Sequence, residues 1–177
     1  MPWALLVNMF GEPWIQCVID QFILLTRSFQ LKIQRMRNQA QAQLIHFVQI
    51  GNQEIGYISI AELARDVPFE VQRIFWTYDT PTGVLRGKHG HKETEIVLVA
   101  VKGSIKVMTE DIHGNRKDFL LDDPSIGLYL PPQIWHTMTY SNEAIQLALA
   151  STPYDEADYL RTKGEFISFW KTKINEI

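Results

Sequence analysis

Cysteine is almost absent. Cys17 is the only one in 177 residues, which excludes an intrachain disulfide and a cysteine-based zinc cluster. A reducing, cytoplasmic setting fits such usage. Neither sign of charge dominates: 17 Lys and Arg stand against 20 Asp and Glu, for a net charge of −3. A polyanion-binding surface is therefore not expected, and no nucleic-acid partner is assigned, although a local basic pocket for a phosphate fits this balance. A long uninterrupted hydrophobic run is also missing. The first 35 residues are apolar and aromatic, but Glu12, Pro13 and Asp20 interrupt them, leaving nothing close to the roughly 20 residues of a membrane span. A positively charged start and a small-residue cleavage site, the marks of a signal peptide, are not evident there. Two readings of this segment stand together. It is a helix over Trp14–Phe29, packed on the domain or lying at a membrane surface, or it is sequence upstream of a start at Met36.

What is present, from Gln43 onward, is a series of short apolar runs broken by turn residues. The pattern predicts all-β architecture rather than alternating βαβ units. The runs are Gln43–Gln49, Gly56–Ile60, Val71–Tyr78, Glu95–Val101, Ser104–Thr109, Asp118–Leu121, Gly127–Leu130, Ile134–Tyr140 and Ile145–Ser151. Glu95–Val101 is nearly continuous apolar, as expected of a strand buried on both faces. His113-Gly114-Asn115 predicts a hairpin turn. From Asp155 to Ile174, Tyr159, Phe166, Phe169 and Trp170 are spaced for a C-terminal helix, with Gly164 its weak point. The expected organisation is an N-terminal extension over 1–42, helical if translated, a β domain over 43–154 and a helical segment over 155–177.

The stretch RGKHGHKETE, residues 86–95, carries the chemistry. Successive strand residues point to opposite faces, so His89 and His91 can face the same interior. If the strand runs on without a bulge, Glu95 joins them. His136 can enter the same cavity from a partner strand. Evenly spaced strands with such a pair suggest a double-stranded β-helix, the jelly roll of the cupins. Polar groups inside an apolar barrel are costly unless paired or functional. Two chemistries fit. Three imidazoles and one carboxylate, His89, His91, Glu95 and His136, match the order and spacing of a metal-binding cupin and suit a divalent ion. Alternatively, imidazoles titrate near neutrality and can move protons beside a ketone, while Arg86 offers a planar fork of donors to a phosphate. Trp135 is either a core aromatic or a stacking platform for a base.

Several segments together resemble a known family. Pro68-Phe69, Arg73, Arg86-Gly87-Lys88-His89-Gly90-His91, Gly103-Ser104, Gly127-Leu128, Trp135, and the closing Ala150-Ser151, Tyr154-Asp155-Glu156 and Asp158-Tyr159-Leu160-Arg161 resemble the sugar 3,4-ketoisomerases of nucleotide-deoxysugar biosynthesis, the WxcM-like cupins. The resemblance runs from about residue 43 to 169. It implies a dTDP-linked 4-keto-6-deoxyhexose whose ketone moves from carbon 4 to carbon 3 through an enediol-like intermediate, without a cofactor. It also implies His89 as principal base, with His91 shuttling or orienting. Arg86, Arg73, Tyr78, Trp135 and His136 become candidate substrate contacts. A homodimer, with strand exchange common in the family, is expected. The chain departs from the family at Ile55-Gly56-Tyr57-Ile58, where an arginine is usual, at Phe75 and Trp76, where tyrosines are usual, and at Ile96, where a glutamine is common. A non-catalytic sugar-binding cupin therefore stands as a further reading.

Overall fold

The computed structural model describes Asp20, Ile23 and residues 40–63 and 65–176. The expectation of a helix over Trp14–Phe29 lies outside the described residues. Eleven strands make the body: β1 Gln43–His46, β2 Val48–Asn52, β3 Gly56–Ile60, β4 Arg73–Thr77, β5 Arg86–His91, β6 Ile96–Lys102, β7 Ile105–Glu110, β8 Arg116–Leu121, β9 Ile126–Leu130, β10 Trp135–Tyr140 and β11 Ile145–Ala150. A 3-10 turn over Glu156–Asp158, the short strand β12 Tyr159–Leu160 and helix α1 Lys163–Asn175 follow. One sheet has the order β1-β9-β6-β11-β4 and the other β12-β5-β10-β7-β8, with β2-β3 as a separate hairpin. This is the expected double-stranded β-helix.

The space between the sheets is filled from both sides. Ile96, Leu98 and Ala100 of β6 meet Ile105, Val107 and Leu121 across the interior. The intervening Val97 and Val99 face outward and are buried too, under Phe47, Val67 and Phe69. Two covered faces explain why β6 reads as an unbroken apolar run. Each of these valines contributes roughly 1.5–3 kcal/mol on the usual burial scale.

Three expectations are corrected. Gln43–Gln49 is not one strand: β1 pairs with β9, and β2 leaves to pair with β3. The histidine pair does not lead into the following apolar run, because β5 ends at His91 and β6 starts at Ile96. The C-terminal helix begins at Lys163, later than the aromatic spacing suggests. Thr162 caps it, accepting from the Glu165 amide while the Glu165 carboxylate accepts from the Thr162 amide. Gly164 thus falls in the first turn rather than in the helix interior. The preceding Tyr159 and Leu160 instead add a strand beside His91 and Gly90.

α1 packs through Phe166, which is 1% exposed and joins Trp135 and Leu160 in a small cluster. Gly90 makes room for it: a Cβ there would lie 2.5 Å from the Phe166 ring. The Trp170 indole N–H donates to the His91 carbonyl at 3.2 Å. The chain end is therefore fastened directly to the strand that carries the histidines.

Candidate active site

Strand alternation alone would put Arg86 and His89 on opposite faces, since they are three residues apart. The structure places both inward. Against β10, Arg86 pairs with Met138, Gly87 with Thr137 and His89 with His136, so Lys88 is an extra residue. Gly87 (φ 76°) and Lys88 (φ 58°) both take left-handed backbone to form this bulge. It resets the alternation, and Arg86, His89 and His91 then share the inner face with His136, Met138 and Tyr140.

The three imidazoles form one cluster. Ring centroids are 5.0 Å apart for His89 and His91, 4.6 Å for His89 and His136, and 6.4 Å for His91 and His136. The His89 Nδ1 lies 3.0 Å from the Gly87 carbonyl. A carbonyl only accepts, so this nitrogen carries the proton and Nε2 has the free lone pair. Burial, aided by the neighbouring His91, pushes the His89 pKa down to about 4. Burial and the charges of His89 and His91 hold His136 well below its ordinary value. Both rings are therefore neutral at pH 7.

This has a consequence for stability. An imidazole whose pKa is lower in the folded chain than the ordinary 6.5 takes up protons first in the unfolded chain. Stability is full above about pH 6.5 and falls as the pH drops from there toward about 4, where His89 protonates in place. Urea midpoints are expected to be lower at pH 5.0 than at pH 7.5, with a smaller difference in His136→Gln. Equal midpoints in the wild-type protein would mean that the imidazoles are solvated.

Asp158 closes the cluster from the chain end, and the pattern within β5 gave no hint of it. Its Oδ2 lies 2.7 Å from His91 Nδ1 and accepts from Thr94 Oγ1 at 2.5 Å. Its Oδ1 accepts from the Lys92 and Glu93 amides at 3.1 and 2.8 Å. Burial alone would raise this carboxyl, but the hydrogen bonds from His91, Thr94 and the Glu93 amide hold it well below the usual carboxylate range. Tyr159 was also missed as a site residue. Its ring centroid is 5.0 Å from His89 and 4.5 Å from His91, and the Arg161 guanidinium sits 4.1 Å above it. The closing motif is the one sequence signal that could have pointed to both.

Other candidates are distributed unevenly. Arg73 points inward, with its guanidinium 5.3 Å from the Phe75 ring and 5.6 Å from the Tyr154 ring. Its Nε and one Nη are buried without a hydrogen-bond partner, which is costly unless an anion arrives. Tyr78 lies past the end of β4 and is 60% exposed. Trp135 faces away from His136 into the Phe166 cluster, 5.8 Å between ring centroids, so it is a core aromatic. Glu95 does not join the histidines. The turn at 92–95 breaks the parity, and Glu95 accepts from the Tyr129 hydroxyl at 2.6 Å in the outer layer. With the carboxylate elsewhere, the residues do not fit the four-ligand metal reading. Among the described residues, no group of three or more His, Cys, Asp or Glu is arranged to hold a metal. Of the departures from the family, Phe75 packs inward against the core, Trp76 points outward, Ile96 is core and Ile55 is 80% exposed at the hairpin turn.

A jelly roll with an imidazole cluster, a carboxylate and inward arginines on its inner face belongs to the cupins that act on small molecules. The chain is a member of the FdtA family, WxcM-like, C-terminal, which matches residues 40–171. It is 36% identical over 126 residues to a TDP-4-oxo-6-deoxy-alpha-D-glucose-3,4-oxoisomerase of Aneurinibacillus thermoaerophilus, covering 70% of this chain and 88% of the relative. A single-site mutant of the 3,4-ketoisomerase QdtA from Thermoanaerobacterium thermosaccharolyticum, solved with TDP-4-keto-6-deoxyglucose, is 32% identical. It superposes with a TM-score of 0.70 over 75% of this chain and 95% of that one. The WlaRB TDP-quinovose 3,4-ketoisomerase of Campylobacter jejuni is 34% identical, with a TM-score of 0.67 over 72% of this chain and 97% of that one.

Proposed function

We propose that the chain is a TDP-sugar 3,4-ketoisomerase of deoxysugar and polysaccharide biosynthesis, taking a TDP-linked 4-keto-6-deoxyhexose by histidine-mediated proton transfer. The observation that carries the mechanism is the His89 ring: neutral, on the inner face, with Nδ1 bound to the Gly87 carbonyl and Nε2 left as the basic nitrogen. The carbon 3 proton is acidified by the ketone at carbon 4. His89 Nε2 removes it, and the electron pair moves toward the carbon 4 oxygen to give an enediolate. Arg86, brought to the same face by the bulge, donates to that oxygen. The proton of the carbon 3 hydroxyl moves to the carbon 4 oxygen, a proton is then delivered to carbon 4, and the ketone stands at carbon 3 with a hydroxyl at carbon 4. His91 and His136 stand beside His89 to shuttle these protons. Nothing is oxidised or reduced overall. Arg73, with buried donors lacking partners, takes the pyrophosphate.

The test is incubation with TDP-4-keto-6-deoxyglucose in deuterium oxide, with carbons 3 and 4 followed by NMR. Deuterium entry and a 3-keto product are expected. The absence of both with this substrate would overturn the reading.

The working unit is a homodimer. Ile50, Tyr57 and Ile58 of the hairpin and Ile74 and Trp76 of β4 are 54–64% exposed, more large apolar surface than a monomer usually leaves open. A cavity of about 720 Å³ lies between the hairpin and the outer sheet face. Light scattering should give twice the 20.5 kDa chain mass; the monomer mass would sink this assignment. The location is cytoplasmic, supported by the single cysteine and the nucleotide-sugar substrate, and cell fractionation tests it. Among the described residues, no helix is long and apolar enough to cross a membrane.

A further inference from the structure

The Asp158 carboxylate makes four contacts, and they are not equivalent. Two of its donors are backbone amides, of Lys92 and Glu93, fixed in place and aimed at Oδ1. The other two are side chains, the Thr94 hydroxyl and the His91 imidazole, aimed at Oδ2. The Thr94 proton goes to Asp158, so the Thr152 hydroxyl, 2.6 Å away, must donate to Thr94. A directed chain results, from Thr152 to Thr94 to the carboxylate. An ionised carboxylate only accepts. His91 must therefore present a protonated Nδ1 to it, which leaves the lone pair on Nε2. That nitrogen is buried and has no partner in the protein, and its ring sits against both His89 and Tyr159.

We propose that Asp158 is a positioning residue for the ketoisomerase reaction: it fixes the Nδ1–H tautomer of His91, so that Nε2 can take up a proton beside His89 during turnover. The inference rests on the proton-transfer function proposed above. The carboxylate also stabilises the imidazolium that His91 becomes. The neutral Gly87 carbonyl does much less for His89. The two rings thus divide the work. His89, held neutral, works on carbon, and His91, backed by a negative charge, receives and returns the mobile proton. The chain end delivers this carboxylate. β12 pairs with β5 at His91 and Gly90, and the Lys92 amide also donates to the Asp158 carbonyl at 2.9 Å.

Asp158→Asn is a sharp test because the two fixed amides choose its orientation. Its one oxygen goes to the Lys92 and Glu93 amides, and its NH2 group faces His91. That group donates to Nδ1 and forces the opposite tautomer. In 15N-labelled wild-type protein, His91 is expected as Nδ1–H, and in Asp158→Asn as Nε2–H. The variant should lose roughly 10²-fold in kcat with KM within about twofold of wild type, and Asp158→Glu should recover part of both the tautomer and the rate. A wild-type His91 protonated on Nε2 would overturn the proposal whether or not the variants fold. So would an active wild type whose Asp158→Asn form keeps its kcat. Should the wild type be inert on TDP-4-keto-6-deoxyglucose, the substrate assignment falls, and the tautomer measurement still judges Asp158.

Discussion

His89→Asn is expected to lower kcat on TDP-4-keto-6-deoxyglucose by roughly 10²–10⁴-fold, the usual range for loss of a general base. Asparagine is close to the imidazole in size and can keep a hydrogen bond to the Gly87 carbonyl, so the inner face should survive. It has no nitrogen able to accept a proton from carbon. Substrate binding is expected to change little, because Arg73, proposed above for the pyrophosphate, remains. Deuterium entry at carbon 3 should fall in step with kcat. The matched change at His91 leaves His89 on carbon and should preserve more of the exchange than of the net isomerisation. If His89→Asn exchanges deuterium at the wild-type rate, the base is another group, and His91 with its carboxylate becomes the alternative.

Gly87→Ala is expected to damage both the barrel and the site. A Cβ at Gly87 would lie 2.8 Å from the His136 carbonyl oxygen and 3.2 Å from the Thr137 Cα, on backbone with φ of 76°. The first contact is against backbone, so no flexible side chain can yield. Left-handed strain and the forced shift of β10 together should cost about 2–4 kcal/mol. The damage also reaches the chemistry, since the Gly87 carbonyl is the acceptor for His89 Nδ1 and its neighbour Arg86 owes its inward direction to the bulge. Urea denaturation should show the lower midpoint, and kcat should fall even where the protein remains folded. Lys88→Gly is the control: Lys88 also has positive φ, at 58°. Glycine relieves that strain and loosens the unfolded chain, two effects of about 1 kcal/mol and opposite sign. Stability and kcat close to wild type are expected. A Gly87→Ala protein as stable and active as this control would show that β10 moves aside freely.

How far the fold could be read from sequence depended on whether a strand serves the core. β6, β7 and β10 carry apolar residues on their buried faces, and their periodicity is plain. β5 does not: its inner face is the site, so Arg86, His89 and His91 stand where core residues would otherwise mark a strand. The side of His89 and His91 follows from simple alternation, and their meeting with His136 was legible too. Glu95 was misplaced because alternation carries no further than the next turn, and the turn at 92–95 leaves no hydrophobic trace. Arg86 reached the inner face only through the bulge, which alternation cannot foresee. Trp135 was legible as a large aromatic but not as to its face. Tyr159 and Leu160 looked like part of an aromatic helical pattern, and only pairing with β5 makes them a strand. Asp158 lies 67 residues from His91, and no local pattern links the two.

That separation gives the barrel a timetable. During synthesis the strands up to β11 can close on one another while the chain end is still being made. The His91 side chain then has no carboxylate, and its carbonyl has no indole donor, for that donor, Trp170, comes 79 residues later. A chain made as far as β11, at Ala150, can thus pair those strands and still lack the environment of His91. On the mechanism proposed above, the short strand β12 and helix α1 act as a latch on chemistry, which is complete only once they dock against β5.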